Sequence, residues 1–141
     1  MEKANILDLY SGVGSFGIEC LSRYLCNVVF VEKDPIASMS LKKNIINLKL
    51  TQRVKIISQD TKNYLKKFNY EDKFDLIFLD PPYKDISFLS VIALIKEKKI
   101  FKKNHRVIIH RERGCEEVFN DYFKVYLEKN YGRSKIIFGS F

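Results

Sequence analysis

The sequence predicts a doubly wound α/β fold in three layers, with a mostly parallel sheet between helices that ends in an antiparallel hairpin. Three observations predict it. Short apolar runs alternate with stretches of helical periodicity along the 141 residues. The first run enters a glycine turn that opens a helix, and four successive runs end in a carboxylate at or near the tip. Open sheets of this kind bind ligands beyond the carboxyl ends of their strands, so these acidic tips mark the functional edge.

Asn5 to Tyr10 reads as the first strand. It enters Ser11-Gly12-Val13-Gly14-Ser15-Phe16-Gly17, after which Ile18, Leu21 and Leu25 recur at helical spacing. Val28 to Val31 is the second strand and ends at Glu32. Asp34-Pro35 then supplies an N-cap and a first helical residue, and the helix is expected to run to about Leu48 with Ala37, Leu41, Ile45 and Leu48 on one face. Val54 to Ile57 is the third strand, followed by Asp60 and a short helix carrying Tyr64, Leu65 and Phe68. The fourth strand holds the apolar run Leu76 to Leu79 and ends in Asp80-Pro81-Pro82-Tyr83. Ser87 is expected to cap a helix bearing Leu89, Ile92 and Ile95, before a strand from Val107 to His110. Tyr122 to Leu127 and Lys135 to Phe138 form the closing hairpin, turning at Lys129-Asn130-Tyr131-Gly132. No repeat or low-complexity linker interrupts this order, and the length suits one domain over residues 1–141.

The formal charge of +8, from 25 Lys and Arg against 17 Asp and Glu, favours a polyanionic partner, although a composition rich in Ile, Lys and Asn produces such a charge without one. Cys20, Cys26 and Cys115 are odd in number and lack CxxC or Cys/His ligand spacing, so neither a disulfide framework nor a metal site is expected. No stretch has the pattern of a signal peptide or the roughly 18 apolar residues of a membrane helix, and a cytoplasmic protein without membrane contact is expected.

Two motifs carry the chemistry. In Asp80-Pro81-Pro82-Tyr83 the prolines lack N–H donors and fix their φ angles, which makes the strand end a rigid bracket. It offers an acceptor carboxylate, the Pro81 carbonyl and the aromatic face of Tyr83, a set suited to a planar substrate with an NH2 group. Taken alone the motif favours the plainer reading, a strand ending in a turn. Gly12, Gly14 and Gly17 form GxGxxG after a strand, with Glu32 at the next strand end, so a dinucleotide competes with S-adenosylmethionine for the loop. Asp8 separates the two. A carboxylate just ahead of the loop repels a pyrophosphate but suits the ammonium of S-adenosylmethionine. Glu32 accepts ribose hydroxyls in either case, and Asp60, with Thr61 beside it, is both a helix cap and a partner for an adenine amine. Ile57 and Pro35 are candidate apolar walls for the adenine ring.

LDLYSGVGSFGIECLSR, FVEKD, the LKKNIINLKL helix, FDLIFLDPPY and the final YGRSKIIF, in that order, resemble the RsmD-type bacterial methyltransferases of small-subunit ribosomal RNA. The resemblance spans nearly the whole chain. It implies a Rossmann-like class I methyltransferase fold, with S-adenosylmethionine as cofactor and a guanine exocyclic amine as acceptor. It also implies that Asp8, Ser11, Gly12 and Gly14 hold the methionine part, Glu32 the ribose and Asp60 the adenine, with Lys33 and Thr61 also binding the cofactor, and Asp80, Pro81, Pro82 and Tyr83 the target base. The family carries a basic N-terminal hairpin and helix ahead of the glycine-loop strand, whereas this sequence opens on that strand. A homodimer or an N-terminal partner segment is therefore expected to complete it.

The implied partner is ribosomal RNA or an assembling small subunit. A flipped base would stack on Tyr83, and Arg111 and Arg113, after a strand tip, are candidate phosphate contacts, whereas Lys96 to Lys103 reads as a solvated face. His105 and His110 have no metal-ligand spacing and read as structural. Two further readings stand beside this one: a DNA amino methyltransferase with the same bracket, and a catalytically weak cofactor-binding module.

Overall fold

The computed structural model describes residues 3–69, 72–83 and 85–141. Seven strands form one sheet: β1 (Ala4–Leu9), β2 (Cys26–Val31), β3 (Val54–Ile57), β4 (Phe74–Leu79), β5 (Phe101–Glu112), β6 (Lys124–Tyr131) and β7 (Ser134–Ser140). Their order is β3-β2-β1-β4-β5-β7-β6. The first five pair in parallel, and β7 runs antiparallel to both β5 and β6. The helices between them are α1 (Ser15–Arg23), α2 (Pro35–Asn47), α3 (Thr61–Lys66) and α4 (Phe88–Lys98). The predicted three-layer fold is thus the observed one. The strand order reverses at β1, which starts the chain's winding in one direction and neighbours β4 on the other side, so β1 and β4 flank the switch point where such sheets bind ligands.

Each face of the sheet has its own core. α1 and α2 cover one face, where Leu21, Leu41 and Ile45 pack on Ile6, Val28 and Phe30. α3 and α4 cover the other, where Leu65, Phe88, Val91, Ile92 and Ile95 pack on Leu7, Leu9, Ile77, Leu79, Val107 and Ile109. The central strands are apolar on both sides because both faces are covered. Among the described residues, no helix is long and apolar enough to cross a membrane.

Several expected details shift. α1 stops at Arg23, so Leu25 lies past its end and is 62% exposed. On α2, Ser38 instead of Ala37 joins Leu41 and Ile45 on the buried face, and its hydroxyl is 2.7 Å from that of Ser58, while Leu48 is exposed. Ser87 stands at the start of α4 without a side-chain cap; Asp85 instead accepts the Ser87 amide at 2.7 Å. β5 is twelve residues long rather than four, and its pairing with β4 shifts register between Phe74 and Leu76. The hairpin turns at Gly132-Arg133, two residues past the centre of the expected turn, because β6 continues to Tyr131.

Candidate active site

The tips of β3, β2, β1 and β4 stand side by side, and the four sequence-predicted carboxylates come with them. Three of the four line one cavity of about 280 Å³: Glu32, Asp60 and Asp80, together with Tyr10, Val31, Lys33 and Thr61. Glu32 is placed by two backbone donors, Gly12 N–H at 2.7 Å and Asp34 N–H at 2.8 Å. Its clamp on Gly12 ties the glycine loop to the tip of β2. Asp60 caps α3, and both of its contacts, from Lys62 and Asn63 amides, fall on Oδ2, which leaves Oδ1 outside the cap.

The glycine loop follows from sterics. Gly14 sits in the left-handed region at φ 86°, and a side chain there would overlap Leu41; a side chain at Gly17 would overlap the ring of Phe30. Tyr10 also has a positive φ of 56°, which is uncommon outside glycine. It bends the chain out of β1 so that the Tyr10 ring lines the cavity, a role that sequence reasoning missed and that the tyrosine's position before the loop could have signalled.

Asp8 lies beneath this cavity rather than on its wall. It is 1% exposed, and its Oδ2 accepts the Gly17 amide of α1 at 3.1 Å. Burial, opposed by the Gly17 hydrogen bond and reinforced by the charges of Asp80 and Glu32, holds its carboxyl well above the usual carboxylate range. Asp8 Oδ1 and the Ser11 hydroxyl are both buried without a partner among the described residues. Two buried polar atoms at one loop thus have hydrogen-bonding capacity that the described residues do not fill. Ile57 and Pro35 do not line the cavity; Val31 and Tyr10 supply its apolar surface.

On the far side of Asp80 lies a second cavity of about 500 Å³, lined by Asp80, Pro81, Pro82, Tyr83, His110, Arg133 and Ser134 among others. Asp80 and Pro82 border both cavities. The Asp80 amide donates to Leu9 O at 3.3 Å, which fixes the bracket to β1. Pro82 O accepts from the Asp85 amide at 3.0 Å and from Arg111 Nη1 at 3.4 Å. Tyr83 is 60% exposed at the mouth.

Two residues depart from their expected roles. Arg111 does not reach out to phosphate: it is 4% exposed, pairs with Glu117 at 3.0 Å and stacks 4.5 Å over the Phe88 ring. Strand parity explains this, since Arg111 shares the buried face with Val107 and Ile109. Arg113 is exposed and keeps the expected position after the strand. His110 is in the site, against the structural role expected of it, with Nδ1 2.8 Å from Asp80 Oδ1 and Nε2 2.8 Å from Ser134 Oγ. His105 is structural as expected: Nδ1 donates to Lys102 O, Nε2 accepts the Phe141 amide, and burial lowers the imidazole pKa.

Comparison with known proteins follows the same lines. Residues 1–140 match the family described as Conserved hypothetical protein 95. The ribosomal RNA small subunit methyltransferase D of Buchnera aphidicola subsp. Baizongia pistaciae is 34% identical over 136 residues, 96% of this chain and 68% of that protein. The chain belongs to this methyltransferase D family. The methyltransferase D of Haemophilus influenzae is 30% identical over 133 residues, 94% of this chain and 69% of that protein. A candidate methylase of Haemophilus influenzae superposes with a TM-score of 0.86 at 29% identity, covering 97% of this chain and 86% of that one. The chain spans about two thirds of the length of the two curated relatives.

Proposed function

We propose that the chain catalyses S-adenosylmethionine-dependent methyl transfer to an exocyclic amine of a nucleobase, guanine N2 of small-subunit ribosomal RNA. One observation carries this reading: Asp80 and Pro82 are the common wall of two cavities, one bounded by Glu32 and Asp60, the other by Tyr83 and His110. A donor and an acceptor on opposite sides of one carboxylate are held in the geometry that a transfer reaction needs.

The residues fit the cofactor on chemical grounds. Asp8 Oδ1 and Ser11 Oγ lack partners where an ammonium and a carboxylate would be held, Glu32 retains lone pairs for ribose hydroxyls, and Asp60 Oδ1 awaits an amine. A dinucleotide is disfavoured. The Gly12 amide that a pyrophosphate would require already serves Glu32, and the carboxylates Glu32, Asp60 and Asp80 on the cavity wall together repel phosphate. When bound, S-adenosylmethionine supplies a methyl group already made electrophilic by its sulfonium. The chain's task is positioning. Asp80 and the Pro81 carbonyl accept the two N–H bonds of the amine, localise its lone pair and stabilise the positive charge that grows on nitrogen. Tyr83 offers the flipped base a stacking surface. The names of the relatives and the charge of +8 support RNA as the polymer.

Calorimetric titration with S-adenosylhomocysteine and with NAD, followed by labelled methyl transfer to ribosomal RNA, tests the reading. The homocysteine should bind and NAD should not, and tight NAD binding alone would reject the cofactor. Asp80→Ala should slow transfer by about 100-fold or more while cofactor affinity holds, because a positioned electrostatic contact is lost. Unchanged turnover in that variant removes Asp80 from the reaction.

A further inference from the structure

The Asp80 carboxylate does not face the acceptor cavity with both oxygens. Oδ1 is engaged by His110 Nδ1 at 2.8 Å, and the other ring nitrogen, Nε2, is engaged by the Ser134 hydroxyl at 2.8 Å. An ionised carboxylate has no proton to give, so Nδ1 carries hydrogen and donates to Oδ1. In the neutral ring Nε2 is then an acceptor, and Ser134 O–H donates to it. The three residues form one directed chain from Ser134 through His110 to Asp80.

The fold brings them together by strand parity. Phe78 pairs with Ile108, so Asp80 and His110, two residues further on, project from the same face of the sheet. Antiparallel pairing sets Ser134 opposite Glu112 and Ile136 opposite His110, which carries Ser134 to that face one step along. All three residues line the acceptor cavity of about 500 Å³.

We propose that His110, oriented by Ser134, is a positioning residue for the methyl acceptor: it fixes the Asp80 carboxylate so that Oδ2 alone meets the incoming amine. The proposal rests on Asp80 being the acceptor for the amine N–H. Without a partner, a carboxylate at a strand tip with 48% of its side chain exposed samples several rotamers, and a rotating acceptor cannot hold an amine in line. With Oδ1 occupied, the amine cannot place both hydrogens on Asp80. One goes to Oδ2 and the other to the Pro81 carbonyl, which orients the nitrogen lone pair. Stability does not account for the contact, since a polar side-chain pair as exposed as this one contributes little to folding.

Four proteins test it: the unaltered chain, His110→Asn, His110→Gln and Ser134→Ala. An Asn amide lies near the place of Nδ1 and keeps the donor to Asp80, whereas a Gln amide lies near the place of Nε2 and reaches only Ser134. Single-turnover methyl transfer to ribosomal RNA should fall about tenfold or more in His110→Gln and far less in His110→Asn, with Ser134→Ala between them. RNA affinity and S-adenosylhomocysteine affinity should stay as in the unaltered protein. A purely structural histidine would make Asn and Gln fall together, in step with melting temperature, and that result overturns the proposal. Proton–nitrogen NMR of the imidazole gives a readout independent of turnover. A downfield Nδ1–H resonance that moves in Asp80→Asn is expected, and a ring protonated only on Nε2 near pH 8 overturns the proposal. Equal transfer rates in all four proteins reject the positioning role alone, whereas no transfer by the unaltered protein rejects the reaction and the role together.

Discussion

A carboxyl group that is 1% exposed, with one oxygen unpartnered, destabilises the fold whenever it is ionised, and Asp8 is such a group. Its folded pKa lies well above 3.8, because burial outweighs the Gly17 hydrogen bond that favours the anion. A raised acid keeps its proton in the folded state at pH values where the unfolded chain has released it. The contribution of Asp8 to stability is therefore most favourable at acid pH and falls as pH rises from about 3.8 through the folded value. Asp8→Asn cannot ionise and should lose this slope. Denaturant midpoints of the two proteins between pH 4 and 8 should separate, with the variant gaining on the native chain as pH rises. Its affinity for S-adenosylhomocysteine should fall at the same time, because the ammonium loses its counter-charge. Parallel midpoints across that range would show that Asp8 is ionised at little cost.

At the scale of elements, the buried charges on β5 and β7 hold the acceptor bracket from behind. Glu117 takes Arg111 at 3.0 Å and Lys135 at 2.7 Å, with side-chain exposures of 5%, 3% and 9%, and Arg111 also reaches Pro82 O. Removing the shared anion leaves buried Arg111 without a carboxylate and Lys135 with only the half-exposed Glu128 at 3.6 Å, so Glu117→Gln should cost about 3 kcal/mol, read as a lower guanidinium midpoint at unchanged slope. A loss below about 1 kcal/mol would mean that water reaches the cluster. This cluster also marks where the sequence stopped being legible. β1 to β4 were readable because each is a short apolar run closed by a glycine, a carboxylate or a proline, and the residues proposed to hold the cofactor lie within those few positions. β5 was read at a third of its length because Lys102, Lys103 and Arg106 mask a strand whose start is set by pairing with β4 across a register shift. β6 is exposed at all eight positions and has a register break between Val125 and Leu127, so it carries no alternation. His110 and Ser134 are 24 residues apart and meet only through the antiparallel register. Parity with Ile108 and the turn before Ser134 were the available signal.

Across the whole molecule, the two faces of the sheet are covered unequally. Phe78, Ile108, Phe138 and Leu127 are register partners in a row across β4, β5, β7 and β6, on the face that α1 shares. Phe16 of α1 stacks on Phe78 at 3.9 Å, but Ile108, Phe138 and Leu127 belong to neither packed core, and Leu127 is 41% exposed beside Tyr126 at 56%. An apolar row that ends on an exposed edge strand is a surface for association. We expect a second copy of the chain to cover it, with self-association visible by sedimentation velocity at micromolar concentration. Salt distinguishes this from charge-driven contact. Each copy carries a formal charge of +8, so added salt screens the repulsion between copies and should strengthen an apolar dimer, while the same salt weakens binding to RNA phosphates. Leu127→Lys should shift the equilibrium to monomer without moving the melting temperature, since the side chain is already exposed. Weaker self-association at higher salt, or a Leu127→Lys variant that associates as the native chain does, would place the contact elsewhere on the surface.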